Sequence, residues 1–199
     1  MFNIPKLIAA IGYFGIGGII FAESGLFFGF FLPGDSLLFT AGFLASQNLL
    51  NIWALLILTF VCAVLGDQVG YWFGRKAGPK IFTKEESIFF HKDHITRTQD
   101  YFAIHGKKTI ILARFIPIIR TFAPIMAGVG NMEYSTFLSY NIIGGFGWTF
   151  GLTLAGYFLG SVIPDVDKYL LPIITVIIIL SVLPAIKHFI VDGRRTKEK

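Results

Sequence analysis

Residues 114–128 read Arg-Phe-Ile-Pro-Ile-Ile-Arg-Thr-Phe-Ala-Pro-Ile-Met-Ala-Gly. Two arginines, Arg114 and Arg120, sit in an otherwise apolar run that also carries Pro117 and Pro124. Proline removes a backbone donor and clashes with the preceding turn, so an unbroken helix is not expected here. Arginine at bilayer depth is costly and faces a cavity, a partner or a ligand. Broken backbone at that depth persists only where protein or trapped water satisfies it. The stretch reads as one half of a lipid-phosphate or ion site.

The composition puts that stretch in a membrane. Of 199 residues, 54% are hydrophobic and 22 are Phe, and mean hydropathy is +0.69. That is too apolar for a soluble domain of this size, and runs of about 20 apolar residues are membrane-span candidates. The net charge of +5 marks cytoplasmic loops in such a chain, not a nucleic-acid partner. The single cysteine, Cys62, excludes an internal disulfide and reads as a small core residue. The N-terminus lacks a basic leader region and a clear cleavage site, so the first apolar segment is expected to stay.

Taken in order, the chain predicts a single transmembrane domain over 1–199, all α. A first span covers about 7–22. A re-entrant hairpin over about 23–46 turns at Pro33-Gly34-Asp35, a strong turn signal, because residues 36–46 are too few to cross. A second span covers 51–74, with Gly66, Gly70 and Gly74 four apart on one face, a pattern that permits close helix packing. Asp67, on the same span, is expected either to cap or pair with a basic residue such as Arg75, or to act in transport. Residues 75–108 are basic and carry apolar residues at helical spacing, an amphipathic segment at the interface. His91, His94 and His105 fall there, and without a carboxylate or cysteine pattern they do not read as a metal site. A second hairpin covers about 109–130. A glycine-rich span follows over 134–160, with Asn141 and Trp148 inside, and a last aliphatic span covers about 169–189.

The Lys/Arg bias orients these elements. The basic 75–108 segment and the basic tail belong in the cytoplasm, and the breaks at 46–51 and 164–168 outside. The parity closes with four full spans, two hairpins entering from opposite sides, and both termini cytoplasmic. An internal repeat agrees. Phe31-Leu32-Pro33, Ala41-Gly42 and Gly70-Tyr71-x-x-Gly74 recur as Phe115-Ile116-Pro117, Ala127-Gly128 and Gly156-Tyr157-x-x-Gly160. Repeat one is about 23–74 and repeat two about 109–161. An inverted repeat places its binding site near the midplane, between broken helices. One copy contributes the acids Glu23 and Asp35, the other Arg114 and Arg120.

These residues carry a resemblance. Glu23-Ser-Gly, Phe31-Leu-Pro-Gly-Asp35-Ser-Leu-Leu, Gly66-Asp67-x-x-Gly70-Tyr71-x-x-Gly74-Arg75, Arg114-Phe-Ile-Pro-x-x-Arg120-Thr121-Phe-x-Pro124, and Asn141 with Gly144 and Trp148 resemble the bacterial DedA family, also called SNARE-associated or VTT-domain proteins. The resemblance covers nearly the whole chain. It implies a plasma-membrane protein that returns undecaprenyl phosphate, the carrier lipid of cell-wall precursors, across the membrane, in some members driven by the proton motive force. Eukaryotic relatives scramble phospholipids. It places functional acids at Glu23 and Asp35 and functional arginines at Arg114 and Arg120, with Pro33, Gly34, Asp67, Pro117, Thr121, Pro124 and Asn141 in support. Phe30 stands where the family often has proline, and Asn131 where a basic residue is common.

The chemistry fits. Arginine's planar fork holds two phosphate oxygens and stays charged when desolvated, and both guanidinium groups are expected to point into a cavity. A desolvated carboxylate can carry a proton, so Glu23 and Asp35 either couple lipid movement to protons or hold the arginines in place. Membrane lipids and protons are the implied partners, no metal or cofactor is implied, and a homo-oligomer is left open. A proton-coupled small-cation antiporter and a general phospholipid scramblase are the alternatives. An enzyme is not expected, because the spans contain no Ser/His/Asp set or metal cluster.

Overall fold

The computed structural model describes residues 4–26, 29, 32–81 and 108–162. Among them are six helices and no strand: α1 (Ile4–Gly25), α2 (Gly34–Ser46), α3 (Ile52–Ile81), α4 (Lys108–Ala113), α5 (Pro117–Val129) and α6 (Tyr134–Val162). Most of the expected amphipathic segment, the last span and all four histidines lie outside the described residues.

Among the described residues, two helices are long and apolar enough to cross a bilayer, Ile52–Ala77 within α3 and Tyr134–Val162. Their 26 and 29 residues reach about 39 and 43 Å at the helical rise, beyond the roughly 30 Å hydrocarbon layer. Both match expected spans. Asn51 Oδ1 accepts the Ala54 N–H at 3.0 Å and so caps the start of α3. Along α3, Trp53, Ile57, Val61, Leu65, Val69 and Phe73 are all exposed. An apolar stripe at i, i+4 spacing facing outward over the whole helix is a surface for lipid.

The first break comes later than expected. Helix α1 runs on through Glu23 to Gly25, so Glu23 occupies its last turn and not a separate hairpin arm. The second break falls where proline demands it. The N–H groups of Arg114, Phe115 and Ile116 donate to the carbonyls of Ile111, Leu112 and Ala113 at 3.2, 3.1 and 3.1 Å. This is one tight turn of i→i−3 bonds, which satisfies the exposed backbone. Pro117 then opens α5, where its missing N–H is no loss. Pro124 does not break the chain; it stays inside α5, buried beside Gly70 of α3, where an added Cβ would stand 3.4 Å from the Pro124 Cβ, an ordinary van der Waals contact.

The described residues fall into two compact units, one within Met1–Leu32 and Leu56–Gly151, the other within Pro33–Leu55 and Leu152–Lys199. In the first, α5 contacts both α1 and α4. A Cβ added at Gly74 would stand 2.0 Å from the Ile125 carbonyl oxygen, and one at Gly128 would stand 2.1 Å from that of Tyr71. Only glycine permits such backbone contact between α3 and α5. Gly66 meets the end of α1 in the same way, with Phe21 O 2.6 Å from its would-be Cβ. In the second unit, α2 lies against the end of α6. A Cβ at Gly42 would stand 1.9 Å from Thr153 O, and one at Gly156 2.0 Å from Phe39 O.

Helices α2 and α5 are alike in themselves. Each has 13 residues. Each ends on an asparagine in the left-handed region, Asn48 at φ 60 and Asn131 at φ 53. The N–H groups of Asn131 and Met132 donate to Gly128 and Ala127 carbonyls, and those of Asn48 and Leu49 donate to Ala45 and Leu44 carbonyls. These are paired Schellman closures, a position asparagine tolerates better than most residues. Asn131 thus ends a helix where the resemblance suggests a basic residue.

Candidate functional site

Among the described residues, the charged side chains fully buried are Glu23, Asp67, Arg114 and Arg120, all 1–2% exposed. All four belong to the first unit, and they form two pairs. Arg120, on the first turn of α5, donates through Nη2 to Glu23 Oε1 on α1. Arg114, in the α4–α5 turn, donates through Nη2 to Asp67 Oδ2 on α3. Of a cavity, a partner or a ligand, the structure gives each arginine a partner. An open groove of this unit, about 770 Å³, lies elsewhere, on a largely apolar face that includes Leu65, Val69, Trp72 and Phe73.

Asp67 does pair with a basic residue, and the partner is Arg114, a different one from the example Arg75. Arg75 instead donates to Tyr71 Oη at 2.8 Å and lies 5.7 Å from the Trp72 ring centre. Tyr71 Oη in turn donates to Met132 O, and its ring stacks on Phe137 at 4.5 Å. Glu23 does hold one of the arginines. Asp35 sits in the first turn of α2, in the second unit, where a helix N-terminus favours a carboxylate. Pro33 and Gly34 lie beside it, Pro33 as the cap residue of α2.

Helix α6 supplies the third wall. Asn141, Gly144, Gly145 and Trp148 recur at i, i+3, i+4 and i+7, hence on one face. Asn141 Oδ1 accepts from Arg114 Nη2, and its Nδ2 donates to Val64 O at 3.1 Å, so it ties the arginine to α3. Gly144 and Gly145 give Arg114 its bed: Cβ atoms there would stand 3.0 Å from its Cδ and 3.6 Å from its Cζ. Trp148, 2% exposed, faces both guanidinium groups, with Arg120 Cζ 4.3 Å and Arg114 Cζ 6.0 Å from its ring centre. Thr121 Oγ1 donates to Glu23 O at 3.4 Å, joining α5 to α1 a second time.

The result is a charge-balanced cluster of two arginines and two carboxylates around one indole. Breaking a buried pair by removing one partner costs about 3–5 kcal/mol, because the other charge is left uncompensated. The same pair adds little stability over an apolar replacement. Two such pairs lie in the helical core, where ionisable groups are costly. Trp148 enters the cluster from a motif position to which sequence alone attaches no role; its spacing from Asn141 is the signal that places it on the same face.

These features define a helical membrane protein with a buried arginine–carboxylate centre. The chain matches the VTT domain over residues 32–158 and belongs to the DedA family of membrane proteins. It is 47% identical to the Escherichia coli K12 protein DedA over 174 residues, which cover 86% of this chain and 79% of that one. An uncharacterized membrane protein of Mycobacterium leprae is 50% identical over 168 residues, 84% of this chain and 75% of the relative. The E. coli K12 inner membrane protein YqjA is 32% identical over 157 residues, 79% and 71% of the two chains. No solved structure matches.

Proposed function

We propose that this chain is a polyprenyl-phosphate transporter of the bacterial plasma membrane, returning undecaprenyl phosphate across it in exchange with, or together with, protons. Arg114 and Arg120 bind the phosphate head, Glu23 and Asp35 carry the proton coupling, and the isoprenoid tail stays in bilayer lipid. The observation that carries this reading is the pair of buried arginines beside a proline-broken turn. A fixed, planar, always-charged donor set suits a phosphate monoester. The carrier lipid itself comes from the family resemblance.

The reading includes an architecture of four spans and two re-entrant hairpins, related as an inverted repeat, with both termini cytoplasmic. Its support is the likeness of α2 and α5: equal length, a proline at each start, an asparagine closure at each end, and glycine-lined packing in each unit. Such repeats place substrate at the midplane between interrupted helices.

The test is reconstitution in liposomes with undecaprenyl phosphate on one leaflet. The expected result is movement of the phosphate lipid that responds to a proton gradient. Equal movement of uncharged polyprenol, or of ordinary phospholipids, points to a general scramblase. Coupled cation movement without lipid movement points to an antiporter.

A further inference from the structure

We infer that Asp67 is a built-in competitor for the substrate phosphate at Arg114, occupying the one nitrogen that every two-point contact must use. This deepens the phosphate reading above and rests on it. A guanidinium grips two oxygens along one of two edges, Nη1 with Nη2 or Nε with Nη2. Both edges share Nη2. In Arg114 that atom is already spent twice, on Asp67 Oδ2 and on Asn141 Oδ1. Its Nε and Nη1 are buried and have no hydrogen-bond partner among the described residues, and neither has Asp67 Oδ1.

Buried donors left open on both sides of an occupied one are unusual, since such groups are almost always satisfied. They are reserve capacity that Asp67 alone cannot use in this arrangement. A phosphate that takes Nη2 from Asp67 gains a second bond from Nη1 or Nε at once. The carboxylate makes one bond where the phosphate makes two, so exchange favours the substrate. When the substrate leaves, Asp67 returns and Arg114 is never left as an uncompensated buried charge. The glycine bed at Gly144 and Gly145 places only backbone beneath the moving side chain. Arg120 is held differently, closer over Trp148 and bound to Glu23, so the two arginines do not play equal parts.

The test uses the full-length protein in a neutral detergent with dodecyl phosphate as ligand and dodecanol as uncharged control. Asp67→Asn keeps the size and an oxygen for Nη2 but removes the competing charge. It should bind dodecyl phosphate roughly ten- to hundredfold more tightly than wild type, with dodecanol unchanged. A second measurement needs no variant. Dicyclohexylcarbodiimide reacts with protonated carboxyls in apolar surroundings, and a carboxylate released from its arginine there takes up a proton. Labelling of Asp67 in the wild type, read by mass spectrometry, should rise with dodecyl phosphate and not with dodecanol. If Asp67→Asn fails to accumulate, that labelling decides alone. Unchanged or weaker affinity in Asp67→Asn, or labelling that does not rise, overturns the competitor while leaving the phosphate reading standing. Dodecyl phosphate affinity that is the same in Arg114→Gln as in wild type overturns both.

Discussion

Glu23 and Arg120 stand 97 residues apart in the chain and share a buried hydrogen-bonded ion pair. The pair closes the end of α1 onto the start of α5. Glu23→Ala should therefore lose about 3–5 kcal/mol, since Arg120 is left buried without its counter-charge. Replacing both residues, as Glu23→Gln with Arg120→Gln, should lose less than the sum of the two single changes. Thermal or denaturant melting of the four proteins in detergent gives the coupling. Strict additivity would show that the two side chains do not depend on each other.

Transport should depend on the acids separately from folding. Glu23→Gln and Asp35→Asn are expected to accumulate, to transport more slowly, and to lose the pH dependence of the wild type, because an amide carries no titrating proton. Rates across a pH series in liposomes decide this. Wild-type rates at every pH would remove proton coupling through these groups, and failure to accumulate would favour a purely structural role.

The arginines should discriminate charge from geometry. Arg120→Lys keeps the charge but loses both the fork and the planar face that lies 4.3 Å from the Trp148 ring centre. It should bind lipid phosphate more weakly than wild type, and Arg114→Ala or Arg120→Ala should nearly abolish binding. One charge-assisted contact is worth about 1.5–3 kcal/mol, or roughly ten- to hundredfold in affinity. Affinities of purified variants, with melting measured in parallel, separate lost binding from lost fold. Equal affinities at unchanged stability would instead promote the antiporter.

Glycines should divide sharply by position. At Gly74 a methyl would stand 2.0 Å from backbone oxygen, whereas at Gly147 and Gly151 nothing lies within 4 Å. Gly74→Ala should force α3 and α5 apart and lower the melting temperature. Gly147→Ala and Gly151→Ala should be neutral or gain up to about 1 kcal/mol of helix stability. Similar melting shifts at all three positions would contradict the close α3–α5 contact.

Topology is open to direct labelling. In a Cys62→Ala background, cysteines at Gln47 and Asp165 should react with an impermeant reagent from outside, and those at Lys92 and Lys197 only from the cytoplasm. Labelling of position 47 from the cytoplasm alone would remove the first hairpin.

Local chemistry is what sequence could read here. The spans beginning near 52 and 134 follow from the length of apolar runs, and the break before Pro117 from a ring that cannot continue a helix. The burden of buried charge was legible too, since arginine in an apolar run must be answered by something. What answers it was not legible. Asp67 lies eight residues, about two helical turns, from Arg75 on the same helix, yet its partner is Arg114, 47 residues away. Pro124 carries the same local signal as Pro117 yet stays inside α5. Trp148 gains its place only when α6 lays one face across both arginines. Each of these depends on how closely whole helices approach, and that is set by contacts between glycines and distant backbone. A one-dimensional pattern states which residues cannot face lipid, and tertiary packing decides which of them meet.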